Sequence, residues 1–339
     1  MTTYKGINGF AVQSVASDPS PLDEGQVWYN NATYAFKLAG VTTAGTWASG
    51  GNLNTARMYI NNGGAGIQTA ALSFGGAPSG PGAPQLTTSE SYNGTSWTAT
   101  PSLNTATSIA GGSGTQTAAL CIAGQIPSTN DSNKTESFNG TSWTTLPATL
   151  NTGRYFLAGV GTQTSTLAFG GENAGGGPIG GTAASESYNG TSWTTTPSLN
   201  TARRDIAGIG NSNIAAIAFG GAITTVQSAT ESYNGSSWTN VNSLNTARRS
   251  ARGAGTQTAG IGVGGGTSGS PTGATELWNG TSWTTNPNSM STARGGGSFA
   301  GTQTLGVYAG GDPGSGTGVA TTEEWTGPGV AETKTITTS

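Results

Sequence analysis

The sequence predicts an all-β chain of six repeated units, each made of four short antiparallel strands, and three observations carry that expectation. The segment E-S-Y-N-G-T-S-W occurs at 90–97 and again at 186–193, with close variants at 136–143, 231–238 and 276–283. An L-N-T-A-R motif or a variant follows each tryptophan and supplies Arg57, Arg154, Arg203, Arg248 and Arg294, with Thr107 at the same place after Trp97. An alternating apolar run then ends in a diglycine at Gly75-Gly76, Gly170-Gly171, Gly220-Gly221, Gly264-Gly265 and Gly310-Gly311, with Ala123-Gly124 as a degenerate copy. Self-similarity at about 45–50 residues marks stacked supersecondary units that cannot bury their faces alone.

Within a unit the first strand follows the arginine and runs to a turn, mostly G-T-Q-T, at Gly114, Gly161, Gly255 and Gly301. The second is the run into the diglycine, as in Leu72/Phe74 or Leu167/Phe169, where period-two spacing puts the apolar residues on one face. The third carries the glutamate and an aromatic, and the fourth carries the tryptophan. Asn-Gly between them is the favoured two-residue hairpin signal. Longer Gly/Pro/Ser loops, such as 77–87 and 172–183, join the second strand to the third. No segment sustains helical periodicity.

The two ends of the repeat region are complementary. Trp47 precedes Arg57 at the usual offset but has no glutamate before it, whereas the last unit has Glu323 and Trp325 but Val330 in the tryptophan place. Pairing these ends closes the last unit with an N-terminal strand and removes open sheet edges. The C-terminal run E-T-K-T-I-T-T-S also alternates and is the rival for that place. The Trp47 strand is the preferred reading.

Composition narrows the function. Of 339 residues 58 are glycine and only 8% are charged, yet nine Trp, nine Tyr and eight Phe recur at fixed places, which reads as order and not as low-complexity disorder. A net charge of −3 without a basic cluster argues against nucleic acid or an anionic membrane surface as partner. No apolar stretch is long enough for a membrane span, and the first residues lack the basic and apolar regions of a secretory signal. With no histidine, Ser-His-Asp and Cys-His catalysis and the usual zinc and copper sites are not expected, so neither an enzyme nor a cofactor is expected. The single cysteine, Cys121, falls in an apolar run and reads as buried filler.

A diglycine, an aromatic, a tryptophan and an arginine at these intervals resemble the kelch motif, over roughly residues 47–325. The resemblance implies a six-bladed kelch-type β-propeller with four antiparallel strands per blade, seven blades being the alternative. Copper oxidases of that family need histidine ligands, so that role does not transfer. In kelch domains the loops holding Arg57, Arg154, Arg203, Arg248 and Arg294 ring the mouth of a central channel. One reading is therefore a cationic rim that binds carboxylate, sulfate or phosphate groups. The other pairs these arginines with the glutamate of each unit: Glu90, Glu136, Glu186, Glu231, Glu276 and Glu323. Arg204, Arg249 and Arg252 are additional charges without an evident counterpart. The Asn-Gly-Thr/Ser triplets also match glycosylation sequons, but hairpin chemistry accounts for them.

Residues 25–37, G-Q-V-W-Y-N-N-A-T-Y-A-F-K, resemble a segment common in tailed-phage fibre and virion proteins. The expected organisation is an N-terminal attachment or oligomerisation segment over 1–45, a propeller over 46–327 and a C-terminal strand or tail over 328–339. The expected function is that of a phage virion protein of tail-fibre or decoration type, located in the virion. It would contact other virion or assembly proteins and a host surface glycan or receptor, and would be able to form a homo-oligomer. A kelch-type interaction scaffold, extracellular or cytoplasmic, and a polysaccharide-acting enzyme are the alternatives.

Overall fold

The computed structural model describes the chain except residues 1–3, 6–10, 21–25, 42–43, 61–63, 81, 174–180, 269, 330 and 337–339. The middle of the loop expected at 172–183 therefore lies outside the described residues. The described residues contain strands and no helix, in two units: Thr46–Trp325, and Met1–Gly45 with Thr326–Ser339.

The larger unit holds six four-stranded antiparallel sheets, numbered here in chain order. The first consists of Ala65–Ile67, Ala70–Phe74, Ser89–Tyr92 and Trp97–Thr100; the second of Gly111–Gly114, Ala119–Ile126, Thr129–Phe138 and Trp143–Thr145. The third consists of Ala158–Thr162, Ser165–Phe169, Ser185–Tyr188 and Trp193–Thr196; the fourth of Ala207–Ser212, Ala215–Phe219, Thr230–Tyr233 and Trp238–Val241. The fifth consists of Arg252–Thr256, Ala259–Val263, Thr275–Trp278 and Trp283–Thr285. The sixth takes Ser298–Gly301, Leu305–Ala309 and Thr322–Thr326 from one end of the repeats and Thr46–Gly50 from the other. The Trp47 strand thus completes the last sheet. Each innermost strand packs against the next in a closed circuit, including the sixth against the first, which is a β-propeller-like architecture.

The core is divided among the interfaces between neighbouring sheets. Among the described residues six buried clusters occur, each drawing on two adjacent sheets. The pattern is repeated: a phenylalanine at the end of a second strand meets the tryptophan of the next sheet, as in Phe74–Trp143, Phe169–Trp238 and Phe219–Trp283 with ring centroids 4.9, 5.1 and 4.9 Å apart. Burial of each such side chain is worth on the order of 1.5–3 kcal/mol. The high glycine content follows from how closely the sheets approach at the axis. A Cβ on Gly253 would lie 2.4 Å from the Gly208 carbonyl oxygen of the preceding sheet. The first glycine of the pair at 220–221 has φ +63°, and a Cβ there would sit 2.5 Å from the Arg248 carbonyl oxygen.

Three sets of hydrogen bonds repeat between neighbours. The second glycine of each pair donates its N–H to the carbonyl of the arginine, or of Thr107, in the next unit, at 2.8–3.0 Å: Gly76 to Thr107, Gly124 to Arg154, and so on to Gly311 to Arg57. A turn Gln or Asn reaches back to the aromatic carbonyl of the preceding third strand, as Gln116 does to Tyr92 at 2.7 Å and Gln303 to Trp278 at 2.7 Å. The tryptophan indole donates to the threonine before the preceding sheet's glutamate: Trp47 to Thr275, Trp97 to Thr322, Trp193 to Thr135 and Trp283 to Thr230, at 3.0–3.1 Å. The junction between the sixth and first sheets has all three, through Gly311, Gln68 and Trp97, and is built like the others.

The smaller unit is one five-stranded sheet in the order Tyr4–Lys5, Ala11–Val15, Val27–Asn30, Ala35–Val41, Ala331–Ile336. It is not a further copy of the repeat: it has five strands, and Ala11–Val15 runs parallel to Val27–Asn30. The C-terminal run that rivalled Trp47 pairs here instead, Ile336 opposite Phe36 and Ala331 opposite Val41. The strand Val27–Asn30 is held by the Asp18 carboxylate, which accepts from Trp28 Nε1 at 3.0 Å and Asn30 Nδ2 at 2.7 Å. Those two bonds, Asn30 first, hold the Asp18 carboxyl below its ordinary range.

Candidate functional site

The five repeat arginines are fully buried, and each meets the glutamate of its own unit. The pairs are Arg57–Glu90 at 2.5 Å, Arg154–Glu186 at 3.4 Å, Arg203–Glu231 at 2.7 Å, Arg248–Glu276 at 3.0 Å and Arg294–Glu323 at 3.0 Å. Burial pushes the pKa of all five guanidinium groups down, and the partner glutamates oppose that shift. The carboxylates are bound by backbone as well. Asn54 N and Nδ2 donate to Glu90 Oε2 at 2.7 and 2.8 Å, while Thr55 N reaches Oε1 at 3.3 Å. The Asn and Thr of L-N-T-A-R thus fix the loop beneath the next sheet. Placed in this way, Arg57, Arg154, Arg203, Arg248 and Arg294 present no guanidinium to a ligand in solvent. They do not form an exposed cationic rim, because each is buried against the carboxylate of its own unit.

The second sheet departs from the pattern. Thr107 stands where the others have arginine, and the Glu136 carboxylate accepts from Asn104 N, Asn104 Nδ2 and Thr105 N at 2.8, 3.2 and 2.8 Å. Cys121 lies directly opposite Glu136 in the strand pairing, and burial first, then Glu136, pushes its thiol well above the ordinary value. It is an inert thiol.

A second repeated set of residues lies two positions beyond each arginine, or beyond Thr107. Tyr59, Ile109, Phe156, Asp205 and Ser250 all have left-handed backbone, with φ of 53–55°, and Gly296 stands at the sixth position with φ 68°. They form a closed backbone circle. Ile109 N donates to Tyr59 O, Phe156 N to Ile109 O, Asp205 N to Phe156 O, Ser250 N to Asp205 O and Gly296 N to Ser250 O, at 2.8–3.1 Å. Ile60 N completes it with Gly296 O at 3.1 Å. A left-handed conformation costs a non-glycine residue about 1 kcal/mol or more. Gly296 shows that glycine can serve in the circle without this cost. The other five positions keep a side chain in spite of it, and four of those side chains, Tyr59, Phe156, Asp205 and Ser250, line a depression of about 390 Å3 on the axis.

Arg249 and Asp312 complete the charged lining of that depression. Tyr59 meets Phe156 edge-on with centroids 6.2 Å apart. Ser250 Oγ donates to Asp205 Oδ2 at 2.6 Å, and Asp312 Oδ1 accepts from Gly314 N and Gly316 N at 2.8 and 3.0 Å. Burial, and then the Asp205 and Asp312 carboxylates, push the Tyr59 phenol above its ordinary value, with Arg249 opposing. The three additional arginines thus separate. Arg204 pairs with Glu172 at 2.8 Å, Arg249 is exposed on the wall of the depression, and Arg252 is buried. Arg252 donates to the carbonyls of Gly297, Ala251 and Ile60 at 2.5, 3.0 and 3.2 Å, so it clasps the fifth, sixth and first units.

A second cavity of about 460 Å3 opens at the other end of the axis, lined mainly by glycines and by Thr115, Thr117 and Thr162. No charged side chain lines it among the described residues. Among the described residues no group of acidic or cysteine side chains could hold a metal ion. Sequence reasoning missed the axial circle because its residues share no type, although their constant offset from the arginine was a usable signal. Compared with known proteins, this chain matches no family model and no curated protein.

Proposed function

We propose that this chain is a six-bladed propeller of the kelch type and a non-enzymatic structural and host-attachment protein of a phage virion. In this reading it binds a cell-surface glycan through the depression on its axis. The observation that supports a binding role is the axial circle: four side chains held at a strained backbone converge on one depression where glycine would be easier to accommodate. Strain of this kind concentrates at functional positions. The paired aromatics and the hydrogen-bonding groups beside them suit a sugar, which presents apolar C–H faces and hydroxyl edges. The virion assignment rests on the resemblance of 25–37 to phage fibre segments; its first residue lies outside the described residues, and the hairpin of Val27–Asn30 with Ala35–Val41, in the smaller sheet, carries the rest. That sheet is the part we assign to attachment or self-association.

The test has two arms. Mass spectrometry of purified virions should find the chain as a stoichiometric component. Purified full-length protein should bind the host cell surface, and the binding should be lost after periodate treatment of surface sugars. Absence from virions together with periodate-insensitive binding to a cellular protein would replace this reading with that of an interaction scaffold. Shortening of surface polysaccharide by the protein would make it an enzyme.

A further inference from the structure

Resting on the reading as a glycan binder, we infer that the axial depression takes an uncharged sugar residue. The wall carries charges of both signs, Asp205 and Asp312 against Arg249. A ligand with a carboxylate placed on Arg249 enters a depression that two carboxylates also line, and a ligand with an ammonium enters one that the guanidinium lines. Like charges brought together in a partly desolvated site oppose binding strongly. A polyol avoids both conflicts, because each hydroxyl both donates and accepts. Its hydroxyls donate to the free oxygen positions of the aspartates and accept from Arg249, which is exposed and makes no ion pair among the described residues. The Tyr59 and Phe156 rings supply the apolar wall for the sugar's C–H face.

Tyr59 and Phe156 give affinity by contact, Arg249 and Asp205 give orientation by hydrogen bonds, and none of them relies on long-range attraction. Binding should therefore be nearly independent of salt.

The experiment uses the full chain on matched neutral and uronic-acid-bearing oligosaccharides, with affinities measured by calorimetry at low and high salt. The expected result is at least tenfold tighter binding of the neutral series, changing less than about threefold across the salt range. Arg249→Gln should weaken neutral-sugar binding about tenfold or more, the scale of one lost charge-assisted hydrogen bond. Phe156→Gly should abolish it, and this variant keeps the axial circle because glycine already serves at 296. Tighter binding of the acidic series with a steep loss in salt overturns the inference and leaves the glycan reading standing. Periodate-sensitive binding to cells by a protein that ignores both series also overturns the inference alone. Failure to bind either series or cells overturns both.

Discussion

Replacing Ser89 and Ser185 by threonine should stabilise the protein, and the structure supplies the magnitude. In four of the six interfaces a threonine before the glutamate accepts from the neighbouring indole at 3.0–3.1 Å. At the other two interfaces the residue is Ser89 or Ser185. There the serine hydroxyls and the facing Trp143 and Trp238 indole nitrogens are all buried without a partner in the protein. A β-branched side chain restricts χ1 and holds its hydroxyl in place, whereas a serine hydroxyl can settle in another rotamer. Space for the added methyl group is shown by the four threonine interfaces. Each restored bond should contribute about 1 kcal/mol, so the double variant should gain about 2 kcal/mol, since the two sites lie in different interfaces and should add. Urea unfolding followed by tryptophan fluorescence should show the midpoint rising at constant slope. The converse changes, Thr135→Val and Thr230→Val, keep the shape and orphan the Trp193 and Trp283 indoles, and each should cost about 1–3 kcal/mol. If the serine variants gain nothing and the valine variants lose nothing, the indole bonds are not part of what holds adjacent sheets together.

Arg203→Met should cost about 3–5 kcal/mol in the same assay by leaving Glu231 buried without its cation, and the added change Glu231→Gln should recover most of the loss. Arg203→Thr, which copies Thr107 and Glu136 of the second sheet, should cost less than Arg203→Met. The Cys121 thiol, buried beside Glu136, should resist a thiol reagent in the folded protein and react fully only on unfolding, so its reaction rate reports global opening. The Tyr92 phenol is pushed up to about 12, by burial first and then by its bond to Glu324. Its folded pKa lies above the unfolded value near 10, so the associated stability is intact below about pH 10 and is lost as pH rises towards 12. Denaturant titrations across that interval should show a smaller loss in Tyr92→Phe than in the parent.

Much of this architecture was legible because the repeat is strict where packing is strict. The constant spacing of Glu90 and Trp97, and of their counterparts, reflects one hairpin in which Tyr92 pairs with Trp97, so the third and fourth strands could be placed from sequence. The orphan Trp47 could be placed because it lacks only what the last unit retains. Alternation in the C-terminal run could not say which sheet that run joins; the partner strands available decide, and Ala331–Ile336 pairs with Ala35–Val41 in the smaller sheet. A strand such as Gly111–Gly114 has almost no intrinsic preference for extended structure, and close approach of the neighbouring sheets is what selects it. For the arginines, residue type supported two opposite readings. A guanidinium suits an exposed ligand and a buried carboxylate equally, and only burial tells them apart. The axial circle stayed hidden because left-handed backbone usually announces itself through glycine, and here tyrosine, phenylalanine, aspartate and serine occupy it.

The ring of sheets stands or falls on whether the segment beside Trp47 is the missing outer strand of the last unit. Native-state hydrogen exchange read at residue resolution addresses this directly. The strand amides of Thr46–Gly50 should exchange as slowly as those of Trp193–Thr196, and Trp47→Ala should release them together with the amides of Thr322–Thr326. Exchange of 46–50 at the rate of free chain, with 322–326 still protected, would contradict the closure.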